Sequence, residues 1–542
     1  GCSILLATSI FCWYIYLKLY LIIHISCYFL MLGLLFSQVE DGENSKSREL
    51  QGAFGAVTID GKIWNQIALR PVLPFGKLSI AFDLVIYIDQ NGNIHKDEWD
   101  FSSGEKTKNT ILDKIYYIKY GNRWDSYYFR IGALDNVFMG YGILANGYSN
   151  SILYPQVRKI GMESRFQAFD LNFFCFTNDF KENFGLSGFR VSGKIPMGIT
   201  MGVSYGLDRN QYLGLKDRDG DGRPDLVDDF PDDNTYWLDT DGDGWADIDT
   251  DHEFDVDGDG LTDPQFTSEF GVTIDTDGVY RKPEPIDVNK QKESVHAFAV
   301  DFGRPLFSDG GLSVHFYAQL AALIGKTKNP EYLIDTTKEQ FKDLGLGLTP
   351  LGITANFGPA KFSWEYRMMP VGKFEFGYFN RSYEIERATF SSMGQENEII
   401  SKSSKLGKYG PQRGYFSRLT VDIGSFLVSG LSYQNLRGDQ WQGEKFEEET
   451  NQSFTGTIRL KKSISKIKTA KWFYQQRNVP NPFEFEYTES TILGYRIGIE
   501  MGNGMILNYI FRRSFLDLNG DGDVDDSGEK INLTSIETSF SF

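Results

Sequence analysis

Three near-copies of one acidic motif lie between Asp217 and Asp263. In each copy, aspartates stand at the first, third, fifth and ninth positions and a glycine stands at the sixth. The aspartates are Asp217, Asp219, Asp221 and Asp225 in the first copy, Asp239, Asp241, Asp243 and Asp247 in the second, and Asp255, Asp257, Asp259 and Asp263 in the third. Alternating carboxylates followed by a glycine that permits the turn suit Ca2+, which takes roughly six to eight oxygen ligands. The motif therefore predicts loops that each fold around one calcium ion.

The first copy also has a carboxylate at the twelfth position, where a calcium loop closes. That residue is Asp228, whereas the second and third copies have Thr250 and Phe266 there. We expect Asp249, Asp251 or a neighbouring repeat to complete those two ligand shells. The alternative is a solvated acidic loop without a fixed ion, but a simple run of charge gives no reason for glycine at the sixth position three times.

A fourth copy lies near the C-terminus, in the last predicted long loop. It consists of Asp517, Asn519, Asp521 and Asp523, with Glu529 one residue beyond the expected closing position. This copy resembles the calcium loops of dockerin and EF-hand proteins, although the displaced glutamate leaves the seventh ligand open. The three upstream copies, with Pro231 and Asp233 after the first, resemble thrombospondin type 3 repeats. Both resemblances imply Ca2+ as the bound cofactor, which we expect to order these loops.

The net charge of the chain is concentrated in the same stretch. Between Asp217 and Lys290 there are 24 acidic and 5 basic residues, a net of −19, whereas the whole chain carries −18, so the remainder carries +1. Neither part offers the basic stripe that nucleic acid requires, which excludes nucleic acid as a partner. The expected partner of this acidic insert, residues 208–292, is a cation.

The rest of the sequence favours no catalytic site. The 5 histidines lack metal or triad spacing, and no GxSxG, Walker A or HExxH motif occurs. Beyond residues 1–38 the only cysteine is Cys175, so neither an intrachain disulfide nor a cysteine-rich zinc site can form there. We predict that the protein is not an enzyme.

Beyond residue 50 the sequence alternates between apolar and polar residues in segments of about ten. Residues 199–207, 312–320 and 493–501 are clear examples. Such alternation predicts strands with one apolar and one polar face. The polar face mixes small residues such as Gly202 and Ser204 with charges such as Asp301 and Arg496. That mixture is typical of a water-filled barrel lumen and less typical of a soluble sandwich.

Loop lengths alternate as well. Predicted short turns, such as 193–196 and 424–425, take turns with predicted long loops, such as 380–413 and 435–451. Outer-membrane barrels have short periplasmic turns and long outer loops. The fold class is therefore all-β: a transmembrane antiparallel β-barrel of about 18–20 strands with a long acidic calcium-binding extracellular loop. The count requires residues 362–379 to form one long strand bent at Pro370. Soluble β-sandwiches in series are the alternative, which predicts no such alternation.

The two ends of the chain point to export. Residues 1–38 form an apolar segment that predicts a secretory signal peptide, with Lys18 as its positive region, although a retained membrane anchor has a similar length. The chain ends with Ile536, Phe540 and Phe542 at alternate positions. This ending resembles the C-terminal signal of bacterial outer-membrane β-barrel proteins. The resemblance implies a bacterial outer-membrane location, with membrane lipid and the barrel-insertion machinery, through Phe542, as partners.

Two functions fit this organisation, in which residues 39–207 and 293–542 form the barrel on either side of the insert. The first is a porin-like channel or transporter for small solutes with calcium-ordered surface loops. The second is a calcium-dependent surface adhesion or structural protein that the barrel anchors and whose surface ligand is unknown. Single-channel conductance separates the two.

Overall fold

The computed structural model describes residues 49–59, 62–154, 157–264, 273–274, 278–390, 399–502, 504–517, 523–526 and 528–541. The predicted signal peptide and Phe542 lie outside these residues. The main sheet has 21 strand segments. Two of them, Leu78–Phe82 and Leu84–Ile88, both pair with the preceding strand and are separated only by Asp83, so they form one interrupted strand. The wall therefore contains twenty strands.

We number the wall strands in chain order. They are β1 Glu49–Ile59, β2 Lys62–Phe75, β3 Leu78–Phe82 with Leu84–Ile88, β4 Ile115–Tyr120, β5 Tyr127–Gly132, β6 Gly161–Ala168, β7 Leu171–Thr177, β8 Leu186–Ile195, β9 Ile199–Asp208, β10 Val295–Asp309, β11 Leu312–Ile324, β12 Leu346–Phe357, β13 Ala360–Met369, β14 Tyr409–Ile423, β15 Leu427–Trp441, β16 Phe446–Leu460, β17 Ile467–Val479, β18 Ile492–Gly502, β19 Met505–Phe515 and β20 Lys530–Ser541. The longest helix of the described residues, α1, is Gly104–Asp113 in the loop between β3 and β4.

The sheet closes on itself. Each strand pairs antiparallel with its neighbours in the chain, and β1 pairs with β20, where Gly52 lies opposite Phe540. A closed wall leaves no unpaired strand edge, which is the condition that lipid imposes on a spanning sheet. The predicted closed antiparallel barrel is confirmed, with an even strand count at the upper end of the predicted range. The alternative of soluble sandwiches is wrong.

Among the described residues, no helix combines the length and the apolar character needed to cross a bilayer.

The two rims of the barrel differ in their connections. At one rim, which we call the short-turn rim, the connections contain two to six residues. At the opposite rim, the long-loop rim, residues 133–160, 209–294 and 370–408 form the longest connections. The predicted alternation is therefore confirmed, with two corrections. The predicted long loop 435–451 is a four-residue turn, because β15 and β16 continue to Trp441 and from Phe446. The predicted strand 362–379 ends at Met369, before Pro370, which has no N–H to donate to a ladder; the strand count is unaffected.

Side chains alternate between the two faces of the wall as predicted. On β9 and β10, Val203 is 47% exposed and Phe298 is 46% exposed, whereas Ser204 is 2% and Asp301 is 3% exposed. Exposed apolar side chains on the outer face of a closed barrel are those that face lipid. The inner face carries the polar residues.

The long-loop end of the lumen is filled by the described parts of residues 133–160 and 370–408, which we call the plug. Leu134, Leu144, Phe374 and Phe379 of the plug are buried in one apolar cluster. Part of the wall faces this cluster with small apolar residues on its inner side, namely Ala297, Ala299 and Ala321. The inner face of the wall is therefore apolar where it packs against the plug and polar where it faces water.

Candidate functional site

Below the plug, the lumen contains a cavity of about 1190 Å³. Its lining runs from Trp124, in a connection of the short-turn rim, to Asn146 and Phe376 of the plug. The basic residues in the lining are Arg123, Arg165, Arg190, Lys361, Arg367, Arg381, Arg418, Arg459, Lys471 and Arg477, and the acidic ones are Asp125, Asp135 and Glu365. The cavity is therefore lined by ten basic and three acidic side chains.

Seven of these ten basic side chains contact a carboxylate. Arg367 and Glu365, for example, form a pair at 2.6 Å with both side chains almost fully buried. Within the described residues, no ion pair is recorded for the other three, Lys361, Arg418 and Arg459. Arg418 instead donates to Asn146 Oδ1 at 2.6 Å and lies over the ring of Phe416. Cations without a carboxylate partner attract mobile anions, so these three residues are the ones that favour anions in the lumen.

A second cavity of about 370 Å³ lies beside the first. Lys471 lines both cavities. Asp135, in the plug, pairs with Lys471 at 3.2 Å and with Arg381 at 3.6 Å. The two cavities therefore meet at an ion pair between the plug and the wall.

The tip of loop 133–160 is fixed against the wall. Tyr141 stacks on Tyr317 with ring centroids 4.1 Å apart, and its hydroxyl group lies 2.8 Å from His315 Nε2. A Cβ atom at Gly303 would lie 1.8 Å from the Tyr141 hydroxyl oxygen. The glycine is therefore what allows the tip to approach β10. The glycine-rich segment around Asn146 folds into the lumen, because Asn146 and Gly147 line the cavity.

Buried ion pairs hold the plug in place. The Arg387 guanidinium donates to Asp208 Oδ2 at 2.6 Å and to Glu182 Oε2 at 2.8 Å, and the Arg387 and Asp208 side chains are fully buried. Lys402 similarly pairs with Glu375 at 3.1 Å and with Glu386 at 2.6 Å. Removing one partner would leave buried charges uncompensated, which is strongly destabilising. These charges neutralise each other, in contrast to Lys361, Arg418 and Arg459 of the cavity lining.

The three acidic motifs of the insert adopt one conformation. In each copy the amide of the sixth-position glycine donates to the first-position aspartate, as Gly222, Gly244 and Gly260 do at 3.0, 2.9 and 2.8 Å. These glycines have φ values of 99°, 96° and 87°, a region that favours glycine. The first, third and fifth aspartates of each copy place one carboxylate oxygen each within 4.8 Å of the others. The predicted residues are therefore brought together.

The ninth-position aspartates make a different contact. Asp225, Asp247 and Asp263 each accept a hydrogen bond from the backbone amide of the second residue of their copy, at 2.8, 2.7 and 3.0 Å. This bond closes each loop on itself. These three predicted ligands therefore stabilise the loop conformation through a hydrogen bond to the backbone.

Asp228 stands at the predicted closing position of the first loop. It is only 7% exposed, and its Oδ1 accepts a hydrogen bond from the Phe230 amide at 2.8 Å, whereas its Oδ2 is buried without a hydrogen-bond partner. Burial and the nearby Asp221 and Asp219 carboxylates raise the pKa of Asp228 to about 6. A buried carboxylate oxygen without a donor, beside other carboxylates, fits a ligand for a hard cation. Phe266, at the same position of the third copy, lies outside the described residues.

The fourth copy is only partly described. Asp517 and Glu529 are buried, and Glu529 Oε2 accepts a hydrogen bond from the Asp526 amide at 2.9 Å. Asp523 is described and exposed, but the predicted ligands Asn519 and Asp521 lie outside the described residues.

Comparisons with known proteins give weak likenesses only. No family model matches the chain, and no curated protein matches it. Among solved structures, Pseudomonas aeruginosa OccK5 (OpdH) is 9% identical, with 91% of this chain and 97% of that chain covered and a TM-score of 0.35. The outer membrane protein OprD from the same species is 8% identical, with 91% and 92% covered and a TM-score of 0.28. CdiB from Acinetobacter baumannii is 7% identical, with 92% and 61% covered and a TM-score of 0.24. These TM-scores are too low to support an argument, so the fold is assigned from the strand pairing of this chain.

Proposed function

We propose that this chain is a channel of the bacterial outer membrane that passes small anionic solutes. A closed wall with an apolar outer face is suited to lipid, and only a barrel can place strands there without unpaired edges. By the same architecture, the short-turn rim faces the periplasm and the long-loop rim, with the insert, faces outward. The observation that carries the proposal is the cavity lining, which has ten basic and three acidic side chains. Three of the basic ones, Lys361, Arg418 and Arg459, have no carboxylate partner among the described residues.

The charge of the lumen decides which solutes enter. Cavities lined by one sign of charge raise the local concentration of ions of the opposite sign. Lys361, Arg418 and Arg459 lie on β13, β14 and β16, so the unpaired cations occupy one side of the wall. An anion that enters from the short-turn rim meets Lys361 and Arg459 first and reaches Arg418 where Arg418 contacts Asn146 of the plug.

The test is the reversal potential of the full chain in a planar bilayer under a potassium chloride gradient. We expect the sign of the reversal potential to show a preference for anions. The conductance should be small because the plug fills the outer end of the lumen. Cation preference would contradict the proposal. A barrel that inserts but gives no current would favour the adhesion function instead.

We further propose that the insert binds Ca2+ at its acidic loops, most firmly at the first. The support is specific to that loop, where Asp228 adds a buried carboxylate oxygen without a donor to the three clustered aspartates. Calcium would neutralise carboxylates that now repel one another. Extracellular calcium loops have dissociation constants of roughly 0.1–1 mM, which suits a surface location.

Hydrogen exchange tests the calcium proposal. In millimolar calcium we expect slow amide exchange across residues 217–264, and a chelator should accelerate exchange there while leaving the wall strands unchanged. Exchange that is the same with and without the chelator would contradict calcium binding.

A further inference from the structure

Three basic residues lie side by side across adjacent wall strands. In the strand register, Arg459 of β16 is directly opposite Lys471 of β17, and Lys471 is directly opposite Arg496 of β18. Directly opposite residues have Cβ atoms about 5 Å apart, and like charges in such pairs are destabilising. The three side chains, which we call the cationic row, point into the lumen, because Arg459 lines the first cavity, Arg496 the second and Lys471 both. The row therefore crosses the junction between the cavities.

The cationic row has one carboxylate beside it. Asp135 lies 3.2 Å from the Lys471 ammonium group, and no ion pair is recorded for Arg459 or Arg496 within the described part of the chain. A carboxylate shared by Lys471 and Arg381 neutralises only part of this positive charge. The row thus has the charge to hold a further anion.

The ion pair between Asp135 and Lys471 can be replaced by a contact between Lys471 and another anion. The Asp135 side chain is 51% exposed and that of Lys471 is 40% exposed, and such exposed pairs contribute little to stability. The backbone around it is held independently, because Arg123 donates to the Asp135 carbonyl oxygen at 2.8 Å and Leu134 is fully buried in the plug. The carboxylate can therefore leave Lys471 by a side-chain rotation, without movement of the plug.

We propose that the cationic row is a binding site for the oxyanion group of a solute, a carboxylate or a phosphate, and that Asp135 is a tethered carboxylate that competes for the same site. This inference rests on the proposed anion channel and locates its binding site. A solute anion replaces Asp135 at Lys471, gains Arg459 or Arg496 as a second partner, and passes from one cavity to the other along the row.

The experiment uses the full chain in a planar bilayer, with acetate or inorganic phosphate added stepwise at a constant chloride concentration. The quantity measured is the concentration of each oxyanion that halves the chloride current. We expect Asp135→Asn to lower this concentration by about tenfold, because both the competitor and a negative charge are lost. Lys471→Gln should raise it by a similar factor, and Lys471→Arg should restore the value of the unaltered chain. A response to acetate alone would assign carboxylates, and a response to phosphate alone would assign phosphates.

Matched controls come from the tip of the β15–β16 hairpin, where Lys445 and Glu447 form an exposed pair at 2.9 Å. Lys445→Gln and Glu447→Gln should leave the half-blocking concentration unchanged. If the channel prefers anions but Asp135→Asn or Lys471→Gln leaves that concentration unchanged, the inference is wrong and the proposed function stands. If no variant conducts, or the unaltered channel prefers cations, both fail.

Discussion

The cavity wall and the insert carry opposite charges, and each leaves that charge without enough protein partners. The cavity lining presents ten basic and three acidic side chains, most of them from strands whose backbone is fixed by ladder bonds. The insert presents 24 acidic and 5 basic residues on loops whose backbone is fixed by aspartate side chains. The plug, by contrast, pairs its buried charges internally, as Lys402 does with Glu375 and Glu386. Charge is thus left unpaired where a mobile ion can reach it and is paired where no ion can.

The same comparison separates two ways of holding an ion. In the insert, the ligands lie within one short segment, so the local sequence determines the geometry. In the lumen, the cationic row joins residues from three strands, so the register of the barrel determines the geometry. We therefore expect a fixed ion in the insert and a transient ion in the lumen. The following variants test this difference.

The largest expected effect is on calcium affinity. Asp228→Asn removes the only charged oxygen at the closing position of the first loop, and a contact between charged groups contributes about 1.5–3 kcal/mol, so affinity should fall by roughly ten- to a hundredfold. Titration calorimetry on the full chain in detergent measures the change. Asp232→Asn is the control, since the Asp232 side chain is 76% exposed and pairs only with Arg218 in the contacts of this region. Equal losses in the two variants would show that the loop acts through total charge alone.

A smaller change is expected when charge is reversed in the lumen. The double variant Lys361→Glu with Arg459→Glu replaces two cations that have no carboxylate partner among the described residues by two negative charges. The ratio of anion to cation permeability should fall by about tenfold, which corresponds to 1.4 kcal/mol and is well below the ~4 kcal/mol of one unscreened contact at an effective dielectric constant of 20. Reversal potentials provide the measurement, and Lys445→Glu at the hairpin tip serves as the control. An unchanged ratio would mean that other groups select the ion.

Raising the ionic strength should lower the anion-to-cation permeability ratio of the lumen by a few-fold and should lower the calcium affinity of the insert by less. Raising salt from 0.1 M to 1 M shortens the screening length from about 10 Å to about 3 Å. Anion preference should decline because Arg459 and Lys361 are reached through water. Calcium binding at Asp228, which is 7% exposed, should change less than the permeability ratio does. A larger loss of calcium affinity than of anion preference would contradict the distinction between a fixed and a transient ion.

The parts of this molecule that depend on short-range pattern could be predicted from the sequence. Period-two alternation in 199–207 and 312–320 located strands β9 and β11, and the spacing of Asp217, Asp219 and Asp221 located a loop whose carboxylates do cluster. The predicted strand 362–379 and the predicted loop 435–451 were wrong, because the length of a strand depends on its neighbouring strands. The sequence therefore predicts which residues share one face of a strand more reliably than it predicts the residue at which the strand ends.

The cationic row and the plug could not be predicted, for two physical reasons. A register shift between Ile467 and Thr469 on β17 changes the partner of Lys471 by one position, so counting from the turns does not place it opposite Arg496. The plug depends on contacts between loops more than two hundred residues apart, such as Tyr148 with Glu384. One sequence signal was present, since Ala297, Ala299 and Ala321 interrupt the polar face where the plug packs.

The smallest expected effect is that of deleting the insert. The two ends of the insert meet at the barrel, where the Gln211 amide donates to the Glu293 carbonyl oxygen at 2.9 Å, so a short glycine and serine linker can replace Asp217–Lys290. The plug should keep its contacts, because Gln211 and Glu293, which bind Ser403 and Ser404, remain. Anion preference should therefore persist unchanged in reversal-potential measurements, since the basic residues that line the lumen all lie on the wall or in the plug. Loss of anion preference on deletion would show that the insert sets the lumen potential, and the two regions would then have to be treated as one electrostatic unit.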